Sequence, residues 1–214
     1  MAGRTERAER GTDTRQAMLE TAERLFAVHG VHAVSTRKIS EESGQGNNAA
    51  VTYHFGGKPD LIRAIVRTHA DRIEEIRSRL VTEAAGSEDI RTWISCLVRP
   101  FTEHLEDLGS PTWYARFRIQ VTSDPALREI SQEEALASPS LRLLIAHLTH
   151  TLPGPPSDIR AERLNMASHL IVNMCVERER ALAENAVTRQ LTWNDLATRL
   201  TDAVVGLWQA PSSN

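Results

Sequence analysis

At 214 residues, with 41% hydrophobic and 25% charged residues, the chain has the composition of a soluble globular protein with room for a sizeable core. It has no apolar run near the eighteen or so residues that a membrane span needs, and its polar N-terminus is no signal peptide, so we expect a cytoplasmic protein. The net charge is −3, divided into +1 for residues 1–58 (8 Lys and Arg, 7 Asp and Glu) and −4 for residues 59–214 (17 and 21). This balance permits DNA binding without requiring it, because phosphate recognition needs a local basic face rather than a basic protein.

The chain begins with a polar segment, residues 1–13, that we interpret as a flexible arm. Its three arginines leave open a second interpretation, an arm that reaches the minor groove or the phosphates of DNA: Arg4, Arg7 and Arg10. Thr12 or Asp13 can cap the first helix, which carries apolar residues at helical spacing from Met18 to Phe26 and ends at Gly30.

Two short helices joined by a tight turn are predicted between Ser35 and Leu61. Ser35 can cap a helix over residues 36–43, and Gly44 stands where a helix end favours a left-handed residue. The turn occupies residues 45–47, and a second helix covers about residues 48–55. This is helix-turn-helix geometry, in which the second helix enters the major groove and the first crosses the backbone.

This stretch closely resembles the DNA-binding end of the tetracycline-repressor (TetR) family of bacterial transcription regulators. The matching residues lie between about 14 and 62: Leu25, Phe26, Gly30, Ser35, Ile39, Ser40, Ser43, Gly44, Tyr53, His54, Phe55, Lys58 and Leu61. The segment from Gly44 to Phe55 is one residue longer than the family pattern, and Thr52 stands where the family often has an aromatic residue. The resemblance implies a three-helix DNA-binding head over residues 14–58 and a helical ligand-binding and dimerisation body over residues 59–214.

Beyond Pro59 the pattern is helical throughout, with no convincing strand, which predicts an all-α fold of about nine helices. Pro100 falls inside a predicted helix over about residues 88–108, where a kink is expected. The strongest break in the pattern is Gly154-Pro155-Pro156. The last helix is predicted to start at Thr192, with Asp195 in a capping-box-like position.

Candidate DNA contacts come from the polar and small residues of the helix-turn-helix. They are Thr36, Arg37, Lys38, Asn47, Asn48, Ala49, Ala50, Thr52, Tyr53, His54 and Lys58. Asn48 or Asn47 could read adenine through its amide, and the two alanines would admit a thymine methyl group. Tyr53 could equally be a core aromatic and Lys58 a solvated charge; the resemblance favours phosphate contacts for both.

Aromatic, sulfur-containing and polar residues of the body are candidates for a ligand cavity. They are Trp93, Cys96, His104, Trp113, Phe117, His169 and Met174. Taken singly, each fits an ordinary core. The family implies a cavity inside the C-terminal helices, whose walls we expect near Pro100 and residues 166–176, for a largely apolar small-molecule effector.

Two helices end the chain and carry more apolar surface than one subunit needs. The helix over about residues 158–185 has two stripes, one through Leu164, Ser168, Ile171 and Cys175, the other through Met166, Leu170 and Met174. We predict a homodimer interface from the first stripe and from the last helix, with Trp193, Leu196, Leu200, Val204 and Leu207. In the alternative, both stripes are covered within one chain.

No motif for catalysis or for a cofactor is found. Phosphate loops, dinucleotide fingerprints, nucleophile elbows and zinc-protease pairs are missing from the sequence, and His147 and His150 lack a third metal ligand. Cys96 and Cys175 lack metal-type spacing and are predicted to be reduced thiols. The sequence thus favours a non-enzymatic repressor that binds a palindromic operator in double-stranded DNA as a homodimer and is released by a small-molecule ligand. The alternatives are an all-helical small-molecule-binding enzyme, or an interaction module, with a non-functional head.

Overall fold

The computed structural model describes residues 2–45, 47, 49–151, 156–184 and 191–211, and these residues form helices without any strand. The helices are α1 Ala2–His29, α2 Thr36–Glu42, α3 Ala50–Phe55, α4 Lys58–Glu83, α5 Ile90–Asp107, α6 Tyr114–Ser123, α7 Arg128–Ala137, α8 Pro139–Ala146, α9 Ser157–Ala183 and α10 Trp193–Gln209. A π-helical turn, His147–Thr151, follows α8. The all-α prediction is confirmed. None of the helices within these ranges is long and apolar enough to cross a membrane.

The first helix differs from its prediction, because α1 begins at Ala2 rather than at Thr12 or Asp13. Residues 2–13, interpreted as a flexible arm, therefore have helical backbone. The segment is rich in Ala, Arg and Glu, which favour helix, and contains no proline. It also lacks an apolar stripe, so hydrophobic periodicity could not reveal it.

The chain divides into two compact units whose boundary differs from the predicted one after residue 58. The first unit comprises residues up to Thr68 together with Arg116–Ser131, and the second comprises His69–Ala115 with the residues from Gln132 onward. The first three turns of α4 belong to the head because their apolar side chains are at most 1% exposed: Leu61, Ile62, Ile65 and Val66. The segment 116–131 joins them through Phe117, which stacks on Phe26 at 6.0 Å between ring centroids.

In the second unit, α10 packs most extensively on α5. Its N-terminus has the predicted capping box, with the Asp195 amide donating to Thr192 Oγ1 at 3.0 Å and the Thr192 amide to Asp195 Oδ2 at 2.9 Å. At its other end the buried Arg163 of α9 donates to the carbonyls of Trp208 and Ala210. Backbone groups at both ends of α10 therefore have hydrogen-bond partners within the chain.

The apolar stripe of α10, predicted to face a partner subunit, is covered within one chain. Trp193, Leu196, Leu200 and Val204 are between 1% and 7% exposed, and only Leu207 is half-buried. The helix that packs most extensively on α10 is α5, whose buried apolar side chains include Ile94, Val98 and Leu105. The prediction that these four α10 residues form a dimer interface is therefore wrong.

The two stripes of α9 have opposite environments. Ile171 and Cys175, assigned to the interface, are 5% and 0% exposed and belong to the core, while Leu164 is half-buried and Ser168 exposed. Met166 and Met174 of the second stripe are 52% and 41% exposed. The large apolar side chains that α9 exposes are therefore those of the methionine stripe.

We expect Leu200→Ala to destabilise the second unit by about 2–5 kcal/mol, because it leaves a cavity between α5 and α10. Leu200→Glu should prevent this unit from folding, since an unpaired carboxylate would be buried there. Urea unfolding followed by circular dichroism measures both. Leu207→Ala, at a half-buried position of the same helix, is the control and should have a smaller effect. A folded monomer of Leu200→Glu would contradict this packing.

Candidate nucleic-acid interface

The turn between α2 and α3 has the local geometry expected from the sequence. Ser35 Oγ accepts from the Lys38 amide at 3.2 Å and caps α2. Gly44 has φ +75°, a left-handed conformation that glycine adopts without strain. Asn47 Oδ1 accepts from the Ala49 amide at 2.9 Å, immediately before α3 begins. The side chain of Asn47 thus shapes the entry to α3.

Helix α3 has one buried face and one open face. Ala50 and Val51 are 7% and 0% exposed and belong to the core of the first unit. Ala49, Thr52 and Tyr53 are exposed, and the exposed fraction of Tyr53 is 85%. Tyr53 therefore presents its ring and its hydroxyl on the open face of α3, where another molecule could reach them. Ala50 cannot contact a base as predicted, because it faces the core.

The basic residues of α2 are paired with acids of the same helix. Arg37 Nε lies 2.7 Å from Glu41 Oε1, and Lys38 Nζ lies 3.8 Å from Glu42 Oε1. The hydrogen bond that Arg37 donates to Glu41 raises the pKa of Arg37, and the hydrogen bond that Arg24 donates to Glu42 lowers the pKa of Glu42. The intrahelical acid compensates the unfavourable place of Lys38 in the first turn.

The remaining candidates lie at the end of α3 and the start of α4. His54 is half-buried and its ring meets Tyr53 edge-on at 5.0 Å, while Thr36 on α2 is also half-buried. Lys58 is half-buried, with Nζ 5.8 Å from the centroid of the Phe26 ring, and burial lowers its pKa. Asn48, predicted to read a base, lies outside the described residues.

Two contacts of the first unit were not predicted from the sequence. The Arg15 guanidinium of α1 lies 4.8 Å from the centroid of the Phe55 ring. His32, after α1, pairs with Asp124 in the segment 116–131. Neither pair has a motif of its own. The Arg15–Phe55 contact could have been suggested only by the position of Arg15 on α1, one turn before Met18 and on the same side of the helix.

The structure does not bring the seven ligand candidates together. Trp93, Cys96 and His104 are buried along α5, whereas His169 and Met174 are exposed on α9 and Trp113 is half-buried. Phe117 belongs to the first unit, against Phe26, so its assignment to the ligand cavity of the body is not supported. Two grooves of about 220 and 430 Å³ lie along α5 and α10, and both are lined mainly by polar side chains rather than by these candidates.

The buried candidates of α5 have specific partners. Trp93 Nε1 donates to the Ser87 carbonyl at 2.8 Å, and its ring stacks on His147 with centroids 3.7 Å apart. Cys96 Sγ donates to the Thr92 carbonyl, and burial raises the pKa of this thiol, which keeps it protonated and unreactive.

An imidazole pair with a tyrosine fills the interior of the second unit. His69 Nδ1 and His104 Nε2 are 2.7 Å apart, and the His69 ring stacks on Tyr114 with centroids 3.7 Å apart. All three residues are at most 7% exposed. Burial, with His69 as a second cause, lowers the pKa of His104 from 6.5 to about 4. Among the described residues, no group of three His, Cys, Asp or Glu side chains could hold a metal ion.

Comparisons with known proteins agree with this geometry. Residues 18–65 match the family model described as "Bacterial regulatory proteins, tetR family". A 67-residue stretch is 39% identical to the HTH-type transcriptional repressor AcnR of Corynebacterium glutamicum and covers 31% of this chain and 35% of that repressor. The chain thus spans about a third of the length of the curated relatives that it matches.

Solved structures extend the likeness to the whole fold. The multidrug binding protein EbrR, complexed with imidazole, superposes with a TM-score of 0.56 at 17% identity, over 93% of this chain and 97% of that one. The TetR-family regulator PfmR of Thermus thermophilus has a TM-score of 0.55 at 17% identity, over 92% and 96%. At this identity they show the fold alone.

A tight helix-turn-helix whose second helix has an open polar face is the arrangement by which helical DNA-binding proteins place a helix in the major groove. Residues 18–65 thus match the DNA-binding part of the TetR family of bacterial regulatory proteins, and the chain as a whole shares its fold with solved TetR-family regulators.

Acidification between pH 7 and pH 5 should destabilise the second unit. Because the pKa of His104 is about 4 in the folded chain and about 6.5 when unfolded, the unfolded state binds more protons in this window. The contribution of this group to the free energy of unfolding is therefore fully present above pH 6.5. It declines as the pH falls toward 4, by at most about 1.4 kcal/mol per pH unit. Urea titrations at several pH values measure the slope.

The variant His104→Gln should flatten that slope, whereas His169→Gln, at an exposed position, should leave it unchanged. An unchanged slope in His104→Gln would mean that another group dominates the acid sensitivity.

Proposed function

We propose that this protein is a transcriptional repressor that binds a palindromic operator as a homodimer and is released from it by a small-molecule effector. The observation that carries the proposal is the open face of α3, with Tyr53 85% exposed beside Thr52 and Ala49 on a helix whose other face is buried. An α-helix with such a face fits the major groove of DNA.

Phosphate contacts are proposed for the residues that flank this face. Tyr53 can donate its hydroxyl, and Lys58 can offer its ammonium from the start of α4. Arg37 and Lys38 are paired with Glu41 and Glu42, so phosphate binding by either cation involves an exchange of partners. Thr36 and His54, both half-buried, are lesser candidates for the same role.

Base recognition is proposed for the N-terminal part of α3. Thr52 presents a hydroxyl and Ala49 a methyl group, which suit a base edge and a thymine methyl respectively. Asn47 Oδ1 already accepts from the Ala49 amide, so its bidentate use on adenine would break that hydrogen bond. Asn48 is the better proposal for adenine.

A homodimer is proposed through the exposed methionine stripe of α9. Met166 and Met174 are 52% and 41% exposed, with the half-buried Leu170 between them at helical spacing. Methionine side chains adapt to irregular apolar partners, and an isologous contact would pair this stripe with itself. Two heads would then meet half-sites about 34–36 Å apart, one helical turn of DNA.

We propose that an effector releases the protein from DNA because the chain resembles the TetR family. The proposed binding region of the effector is the interior of the second unit. Its aromatic and imidazole side chains, Trp93, His104, His69 and Tyr114, suit a largely apolar ligand with a hydrogen-bonding group. Release requires that the ligand bind the DNA-free conformation more tightly.

Selection of bound fragments from random oligonucleotides tests the proposal directly. We expect an inverted repeat to be enriched, with half-sites one helical turn apart, and retention in gel-shift assays against excess unrelated DNA. Failure to enrich any motif, with affinity equal to that for unrelated DNA, would refute a sequence-specific repressor.

Removing a phosphate contact should weaken binding to all DNA sequences alike. Lys58→Gln should lower the slope of log affinity against log salt by about 0.9 for each phosphate that is no longer neutralised. Tyr53→Phe removes only a neutral hydroxyl, so it should weaken binding about three- to tenfold, the worth of one hydrogen bond, without a change in slope.

Fluorescence anisotropy at several salt concentrations measures both variants. Arg79→Gln is the matched control, since Arg79 is an exposed cation of the second unit paired with Glu83 and Glu103. An altered base preference in Lys58→Gln or Tyr53→Phe would contradict the phosphate assignment.

Charges placed on the methionine stripe should separate the subunits. Met166→Glu with Met174→Glu should leave the chain folded, because both side chains are exposed, and should raise the dimer dissociation constant on the order of 100-fold or more. Analytical ultracentrifugation measures the association state. Ser78→Glu, at an exposed position of α4, is the control. An intact dimer in the double variant would rule out this face.

A further inference from the structure

Polar side chains bridge α5 and α10 of the second unit at two places along their contact. Arg91 pairs with Asp202, and Arg99 Nη1 donates to Asn194 Oδ1 at 2.9 Å. The two arginines are eight positions apart on α5, and their partners are eight positions apart on α10 in the opposite chain direction. The two helices are therefore antiparallel here, and the positions midway between the two bridges face each other across the contact.

The midway positions carry Ser95 and Thr198, whose side chains are too short to form a third bridge. Each hydroxyl donates to a backbone carbonyl of its own helix, over 2.7 Å for Ser95 and 2.9 Å for Thr198. A groove of about 220 Å³ opens at this point, and Arg91 and Arg99 also line it. Two hydroxyl groups and two guanidinium groups therefore border one open space.

Among the residues that the structure describes, Arg99 has no acidic partner. The side chain is half-buried, and its guanidinium donates to the neutral amide oxygen of Asn194. Glu103 stands one turn further along α5 and could have paired with Arg99, but it is bound to Arg79 at 2.9 Å. A guanidinium has five N–H donors, so most of those of Arg99 remain available. A half-buried cation of this kind is stabilised by an anion supplied from solution.

The charges around Arg99 determine on which side of it an anion is favoured. The larger groove, of about 430 Å³, also borders Arg99, but three acids line it: Glu103, Glu106 and Asp107. In the smaller groove the lining acid is Asp89, whose carboxylate already accepts from an amide and a hydroxyl of the first turn of α5, at 3.0 and 3.1 Å. Because Asp202 balances Arg91, the positive charge that the smaller groove offers is that of Arg99.

We propose that the smaller groove between α5 and α10 binds a small oxyanion, a phosphate or carboxylate group, with Arg99 as its charged anchor and Ser95 and Thr198 as hydroxyl contacts. A guanidinium presents two parallel N–H groups that match the oxygens of either group. Both hydroxyls can rotate to donate to the anion. The bound anion joins α5 to α10 and stabilises the second unit. The site is separate from the interior region proposed for the effector and does not rest on the DNA-binding function.

Isothermal titration calorimetry with inorganic phosphate, and separately with acetate, tests the site at an ionic strength held constant with sodium chloride. We expect saturable binding of at least one of the two anions, and the anion that binds more tightly identifies the group that the groove prefers. Arg99→Gln should raise its Kd about tenfold or more, the worth of a hydrogen bond to a charged group, and Ser95→Ala about threefold or more. Glutamine keeps a donor for Asn194, and circular dichroism verifies the fold of both variants.

The matched control is Arg199→Gln, which removes an exposed cation of α10 that does not line the groove. It should keep the wild-type Kd. The proposal is overturned if neither anion binds the wild type saturably, or if Arg99→Gln and Arg199→Gln weaken binding equally, since general attraction by positive charge would then explain the effect. Because the titrations contain no DNA, either outcome leaves the proposed repressor function to its own test.

Discussion

Burial of the inner faces of α2 and α3 is the constraint on which the DNA-binding head depends. With seven and six residues, these helices are too short to be stable alone in water. They persist because Ile39 and Val51, both 0% exposed, are held in a core with α1 and the first turns of α4. Since the inner face is committed to this core, the outer face is fixed in orientation and available for contact, and Tyr53 can remain exposed without loss of order.

Buried polar groups are the corresponding constraint in the second unit. The second unit buries polar groups, such as the His69 and His104 imidazoles and Glu179, which accepts from the Ala115 amide at 3.0 Å. Buried polar networks favour one arrangement strongly, because each group loses its partner if the packing shifts. A ligand that supplied replacement partners would therefore stabilise a different packing, which is the physical requirement for an effector.

Much of the fold was predictable from local chemistry. The caps at Ser35 and Thr192 and the left-handed Gly44 follow from side-chain and backbone preferences that act within a few residues. Apolar periodicity located the helices. It could not place the start of α1, where residues 2–13 are helical but have no apolar stripe.

The candidate site was predictable in its position and less so in its details. Ala49 and Ala50 look equivalent in sequence, yet only the register of α3 decides that Ala50 is buried and Ala49 exposed. Leu200 posed a similar problem, since an apolar stripe shows that a partner exists without showing whether it belongs to the same chain. The stripe of α5 provides that partner. Phe117 was misassigned because the sequence does not tell which of two cores an aromatic side chain joins.

The electrostatics of the head bear on how a protein of net charge −3 would discriminate among DNA sequences under the proposed function. Arg37 and Lys38 are matched by Glu41 and Glu42, and Glu42 also binds Arg24 at 2.7 Å. Under the proposed function, a cation already paired gains less from any phosphate than a free one, which would lower the sequence-independent part of the affinity. Base contacts by α3 would then account for a larger share of binding, and specificity depends on the ratio of the specific and non-specific affinities. The acids of α2 would in this sense belong to the recognition surface, because they lower the phosphate contribution on every sequence and leave discrimination to α3.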